Sequence, residues 1–213
     1  MDKTGFLLSI KHSAPLRVAR RFSDRRYFNQ WQKQDKAGAA PHFIKEQAVS
    51  DMAKLFGIST LVETGTYLGD MLWAQKDNFK NIYSIELDPK IFAAAKKKFS
   101  RFSNIHLLLG DSGRVLAELL PQISGPAVFW LDGHYSGGVT GRGGLDTPIM
   151  QELKNILSGK FKNSLILIDD ARMFVGKDGY PTIDELKTYV NSLRAGLAFE
   201  IFDDIIRLTP PHI

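Results

Sequence analysis

Carboxylates recur along this chain at the ends of apolar runs. They are Glu63 in LVETGTYLG (61–69), Glu86 in NIYSIELDP (81–89), Asp111 in NIHLLLGDS (104–112), Asp132, with His134, in AVFWLDGH (127–134), and Asp169 and Asp170 in SLILIDDAR (164–172). Open α/β sheets bind ligands at the carboxyl ends of their strands, so acidic groups recur where ligand chemistry happens. Glu63 opens a turn with glycines at 65 and 69. A dinucleotide-binding turn holds a pyrophosphate on a helix N-terminus, and a carboxylate at its mouth would repel that group. The same carboxylate attracts a cationic ligand, and S-adenosylmethionine carries an ammonium and a sulfonium but no phosphate. Glycine in such a turn also serves backbone geometry alone. Glu86 stands where an acidic side chain accepts both hydroxyls of a ribose. Asp111 is placed to accept a hydrogen bond from an adenine amino group, and a turn or cap role is its alternative. Asp88, ahead of Pro89, reads as a helix N-cap.

The last two runs are apolar enough to be buried on both faces, so their charges belong where the sheet opens to solvent. Asp132, Asp169 and Asp170 converging on one sheet edge repel one another unless a cation sits among them. Hard oxygen ligands favour magnesium, calcium or manganese. The plainer alternative is that Asp169 or Asp170 caps a turn and His134 is a hydrogen-bonded loop residue.

VETGTYLGD, SIELDP, GDS, LDGHY and LIDDAR, in that order, resemble the class I S-adenosylmethionine-dependent methyltransferases. Within that superfamily they are most similar to metal-dependent O-methyltransferases of the catechol and caffeoyl-coenzyme A type and to the sugar O-methyltransferases of macrolide biosynthesis. The resemblance covers residues 41 to 209. It implies that Glu63, Gly65, Thr66 and Gly69 meet the methionine part of the cofactor and that Glu86, with Leu87 beside it, holds the ribose. It further implies that Asp111 and Ser112 meet the adenine, and that Asp132, Asp169 and Asp170 bind a divalent metal, magnesium by preference, with Asp132 also beside the cofactor. Catechol-type enzymes carry a lysine three residues after the fourth-strand Asp, where this chain has Tyr135. His134 is the nearest replacement as general base, with Asp132 beside it in the catalytic set.

Alternating strand and helix signals set these residues on a Rossmann-like, doubly wound α/β fold: a seven-stranded, mostly parallel sheet ending in an antiparallel hairpin around Asp203 and Asp204. Ile44, Ala48, Met52 and Leu55 read as the inward face of a helix ended by Gly57. Pro89 opens a helix with Phe92, Ala95 and Phe99 inward. Ser112 reads as the cap of a helix carrying Leu116, Leu119 and Leu120, and Pro148 opens another, ended by Gly159. Thr182 with Glu185 reads as a capping box ahead of Leu186, Tyr189 and Leu193. The Gly-rich segment 134–146 reads as a lid, with Arg142 either solvated or meeting an anionic substrate.

The chain has 213 residues, 44% of them hydrophobic, enough for one α/β domain with a substantial core. It has no cysteine, which excludes disulfides and thiolate metal sites. No apolar run is long enough to span a membrane, and GFLLSI (5–10) is too short for a signal-peptide core, so a cytoplasmic location is expected. Eight Lys or Arg between residues 11 and 36 stand against two Asp, a local +6 in a chain of net +5. Interleaved with Phe22, Tyr27, Phe28 and Trp31, this stretch sets residues 1–40 apart as a basic arm from a domain at 41–213. The arm reads as an amphipathic extension whose aromatics dock on the body, with a cofactor-site cap or a contact to nucleic acid, lipid or anionic substrate as alternatives.

The expected reaction is O-methylation of a small hydroxylated molecule, with a metal ion lowering the pKa of the acceptor and His134 taking its proton. Nucleic acid is not the expected partner, because base amino-methylases carry Asn or Asp, two prolines and an aromatic where this chain has LDGHY. A P-loop is missing, which sets aside nucleotide hydrolysis. Iron-dependent chemistry, as in cephalosporin hydroxylase-like proteins, and a docking module built on the basic arm are the other readings. The homo-oligomeric state stays open.

Overall fold

The computed structural model describes residues 14–133 and 147–211, with side chains from residue 24 onward. The chain builds α1 (Ala14–Lys33), α2 (His42–Leu55), β1 (Thr60–Thr64), α3 (Asp70–Gln75), β2 (Asn81–Glu86), α4 (Pro89–Phe99), β3 (Ile105–Leu109), α5 (Ser112–Leu119), β4 (Val128–Leu131), α6 (Ile149–Leu157), β5 (Leu165–Ile168), α7 (Ile183–Leu193), β6 (Ala198–Phe202) and β7 (Ile205–Thr209). The seven strands form one sheet in the order β3-β2-β1-β4-β5-β7-β6. β1 to β5 pair in parallel, and β7 runs antiparallel to β5 and β6. The seven-stranded, mostly parallel sheet and its terminal hairpin are therefore as the sequence leads one to expect.

Alternation along the central strands divides the core in two. Val62, Phe129, Leu131, Ile166 and Ile168 face α5, α6 and α7. Leu61, Val128, Trp130, Leu165 and Leu167 face α2, α3 and α4. Every residue of β1, β4 and β5 is buried, because helices cover both faces, and polar groups can reach the ligand side only past the strand ends. β2 lies on one side of β1 and β4 on the other, so the strand order reverses between β1 and β4. A crevice at such a reversal is where this architecture takes its ligand.

Three local readings need correction. The inward face of α2 is Lys45, Ala48, Val49, Ser50 and Ala53, while Leu55 is 70% exposed; the buried face is shifted by about one position, with Lys45 turned inward to Asp169 and Asp170. Ile91 rather than Phe92 lies on the buried side of α4 with Ala95 and Phe99. Asp111, not Ser112, caps α5, accepting the Arg114 N–H at 3.1 Å. The Asp88 cap, accepting from Lys90 and Ile91 N–H, and the Thr182–Glu185 capping box are as expected.

Of the aromatics of α1 with described side chains, Trp31 and Phe28 are turned inward while Tyr27 is 43% exposed. Trp31 is 1% exposed, and Phe28 packs edge-on against Phe43 of α2 at 5.3 Å between ring centroids. Lys36 reaches Asp203 in the β6–β7 turn and lies over the Phe202 ring. No helix among the described residues is long and apolar enough to cross a membrane.

Candidate functional site

β1 delivers Glu63 as its fourth residue, inside the strand and only 2% exposed. The Ser84 hydroxyl, from the neighbouring β2, donates to Glu63 Oε2, and Thr66 Oγ1 lies 2.6 Å from Ser84 Oγ. With Ser84 committed to the carboxylate, Thr66 is the donor of that second bond, and a chain of hydroxyls orients Glu63. Burial pushes the Glu63 carboxyl well above the usual range despite the Ser84 bond, with Asp132, Glu86 and Asp70 adding repulsion. A cation here would relieve both effects.

Gly65 and Gly69 carry the turn after β1. Gly65 has φ +85°, and a Cβ there would lie 2.5 Å from the Asp132 carbonyl oxygen, so β1 and β4 approach too closely at the crevice for any side chain. The Asp132 N–H donates back to the Thr64 carbonyl at 3.1 Å. Gly69, at φ +70°, would drive a Cβ to 2.6 Å from the Phe99 ring.

Glu86 ends β2 and pins that turn. Its two oxygens accept N–H bonds from Tyr67 at 2.8 Å and Asp88 at 2.9 Å, bridging the segments after β1 and β2. Burial raises its pKa, opposed by these backbone bonds. Leu87 is half-buried beside it, and Asp111 and Ser112 follow β3 at the start of α5.

Asp132 after β4 and Asp169 and Asp170 after β5 converge, with one oxygen of each within 4.8 Å of the others. The cation among them is a lysine. Lys45 Nζ, arriving from α2, lies 2.5 Å from Asp169 Oδ2 and 3.1 Å from Asp170 Oδ1. Asp169 Oδ1 accepts the Asp170 N–H at 2.7 Å, and Arg172 Nη1 donates to Asp170 Oδ1 at 2.7 Å. Burial alone would lower the Lys45 pKa, but Asp169 and Asp170 outweigh it and hold the ammonium protonated. Burial and Asp132 push Asp169 toward the neutral form, yet the ammonium in direct contact keeps the pair ionic. The cluster already holds positive charge, since Lys45 contacts Asp169 and Asp170 and Arg172 contacts Asp170, so a divalent ion would have to compete with these cations for the same carboxylates.

Lys45 is a residue that sequence reasoning passed over, although its spacing with Ala48, Val49 and Ala53 put it on the inward face. Glu152 is a second. It shares the buried face of α6 with Ile149, Leu153 and Ile156, is 1% exposed, and its Oε1 has no hydrogen-bond partner among the described residues. Glu152 Oε1 and Thr64 Oγ1 both crowd Gly133, each 3.2 Å from where its Cβ would be. Burial pushes its pKa up to about 7, against the Ser112 and Thr64 hydroxyls. Tyr180 is the third, with its hydroxyl raised in pKa by burial and by Asp170 and Asp132. It also lines a groove of about 850 Å³ with Met150, Lys177, Asp184 and Tyr189. His134, Tyr135, Arg142 and the Gly-rich lid lie outside the described residues.

No family model matches the chain, and no curated protein matches it. Solved structures do. The SAH-bound methyltransferase PaMTH1 of Podospora anserina is similar with a TM-score of 0.55 at 16% identity, over 92% of this chain and 87% of that one. The O-methyltransferase TomG of Streptomyces achromogenes, in complex with SAM, gives a TM-score of 0.58 at 11% identity, over 88% of this chain and 89% of that one. At such identities the likeness is one of architecture, and the chain has the Rossmann-like fold of the SAM-dependent methyltransferases.

Proposed function

We propose that the protein is an S-adenosylmethionine-dependent methyltransferase acting on a hydroxyl of a small molecule. The observation that carries this reading is the buried Glu63 at the point where the strand order reverses, flanked by Glu86 and Asp132 and lined by a glycine turn. A crevice of that charge favours an ammonium or sulfonium and disfavours phosphates. When bound, the cofactor supplies an electrophilic methyl group. Glu63 would hold its ammonium, Glu86 and Leu87 its ribose, and Asp111 and Ser112 its adenine. Because these groups sit on strand ends and the first turns of helices, they fix the ligand's orientation before the acceptor arrives.

The acceptor side lies past β4 and β5. Tyr180 joins the Asp132–Asp169–Asp170 edge to the groove beside α7, and we take that groove as the place for a small hydroxylated acceptor. His134, two residues beyond Asp132, is the candidate for taking the hydroxyl proton. TomG, similar in fold, is itself an O-methyltransferase, which agrees with an oxygen nucleophile. We take residues 41–213 as the methyltransferase domain and residues 1–40 as its arm. The divalent metal expected from the carboxylate cluster is left out of this mechanism, because Lys45 stands among its ligands.

Calorimetric titration with S-adenosylmethionine tests the reading, with ATP as an anionic control. Saturable binding that Glu63→Ala abolishes, with none for ATP, is expected. Because Glu63 must ionise to hold the ammonium, affinity should rise with pH through the range above ordinary carboxylate values. Wild-type protein that binds ATP and not S-adenosylmethionine would overturn the assignment.

A further inference from the structure

We propose that the Lys45 ammonium is the resident cation of the Asp132–Asp169–Asp170 cluster and fills the place a divalent ion would take, so that this edge of the sheet works without metal. Three carboxylates whose oxygens gather within 4.8 Å need positive charge among them. That charge comes from two side chains, Lys45 on α2 and Arg172 just after β5. α2 is fixed by Ala48, Val49 and Ala53 in the core formed with Val128, Trp130, Leu165 and Leu167, the same strands that end in the carboxylates. Lys45 is thus carried to the cluster by packed structure, and its side chain is buried with its partners.

A divalent ion and this ammonium compete for the same carboxylates. An ion bound to these oxygens would stand roughly 2.0–2.6 Å from each of them, on a cluster where an ammonium already sits 2.5 Å from Asp169 Oδ2 and 3.1 Å from Asp170 Oδ1. Repulsion between a double and a single charge at that range, away from bulk water, is large. The ammonium also keeps N–H donors at the carboxyl end of β5. Lys45 is in this sense a positioning residue, and the inference rests on the methyltransferase reading only for what the cluster serves.

Manganese titration followed by the electron paramagnetic resonance of free Mn²⁺, without S-adenosylmethionine, tests the assignment independently of any activity. Wild-type protein is expected to bind no Mn²⁺ at the cluster. Lys45→Met should gain a site at least about tenfold tighter than any in the wild type, lost again in Lys45→Met/Asp169→Asn. A wild-type Mn²⁺ site that Asp169→Asn abolishes would overturn the proposal, as would a folded Lys45→Met that gains none. Should Lys45→Met fail to fold, the wild-type and Asp169→Asn titrations decide between the same two outcomes.

Discussion

Two buried acids at the mouth of the sheet differ in how the fold treats them. Glu63 has a donor on Ser84, whereas Glu152 has an oxygen with no partner among the described residues. A buried carboxyl with an oxygen left unpartnered is cheapest when neutral, which is why its pKa climbs from 4.5 to about 7. The folded state therefore binds a proton more tightly than the unfolded chain. The stability this contributes is fully present below pH 4.5 and lost as pH rises through about 7. Over that window the wild type should lose on the order of 3 kcal/mol relative to Glu152→Gln, which keeps the shape without the charge. Urea midpoints across the pH series measure this, and parallel curves for the two proteins would show that Glu152 does not titrate as described. Neither Glu152 nor Lys45 announces itself in the sequence. Each occupies an apolar position at helical spacing, where a single charged residue reads as an edge of the solvated face. The Lys45 partner Asp169 lies 124 residues away, so no local pattern can reveal the pair.

Among the elements, the strands are legible in the sequence and the turns only partly so. VFWL and LILI are runs that only a doubly covered sheet accommodates, and the Asp88–Pro89 and Thr182–Glu185 signals act within one turn of helix, so local sequence suffices for them. The cap of α5 falls one residue earlier than its sequence suggests, because Asp111 and Ser112 are both good caps and only geometry chooses. The reason for Gly65 is legible only by half. Sequence suggests a turn glycine, but the steric demand comes from the Asp132 carbonyl on another strand. Gly57 provides the control, with φ +65° and no atom within 4 Å of the place a methyl group would take. Gly57→Ala should cost about 1 kcal/mol from backbone conformation alone. Gly65→Ala carries the same conformational cost plus a clash with backbone, and should lose about 2–4 kcal/mol together with S-adenosylmethionine binding. Denaturant unfolding and calorimetry on the two variants separate the effects, and equal losses would mean that the β1–β4 approach is softer than its geometry implies.

At the scale of the whole molecule, the arm is tied to the same carboxyl end of the sheet as the site. Lys36 pairs with Asp203, and the adjacent Asp204 accepts the Arg172 N–H at 2.9 Å and also pairs with the Arg172 guanidinium, which in turn holds Asp170. A continuous set of contacts thus runs from the end of α1 through the β6–β7 turn to the carboxylate cluster. Residues 1–40 can be set apart in the sequence by charge, yet the charge pattern says nothing of this attachment, because it is made by one lysine meeting Asp203, 167 residues along the chain. Trp31 is among the largest fully buried side chains, at 1% exposure. Trp31→Ala should cost about 3–5 kcal/mol, since removing so large a buried side chain leaves a cavity. The arm and the domain should also unfold together. Indole fluorescence, which includes Trp31, and far-ultraviolet circular dichroism, which reports the whole sheet, should give coincident denaturant transitions in the wild type. In Trp31→Ala the midpoint should fall while S-adenosylmethionine affinity at low denaturant stays near that of the wild type, because Trp31 belongs to the arm and not to the turn around Glu63. A separate early transition in the wild type would instead mean that the arm melts from a body that stands without it, and that its contacts with the β6–β7 turn add little to the site.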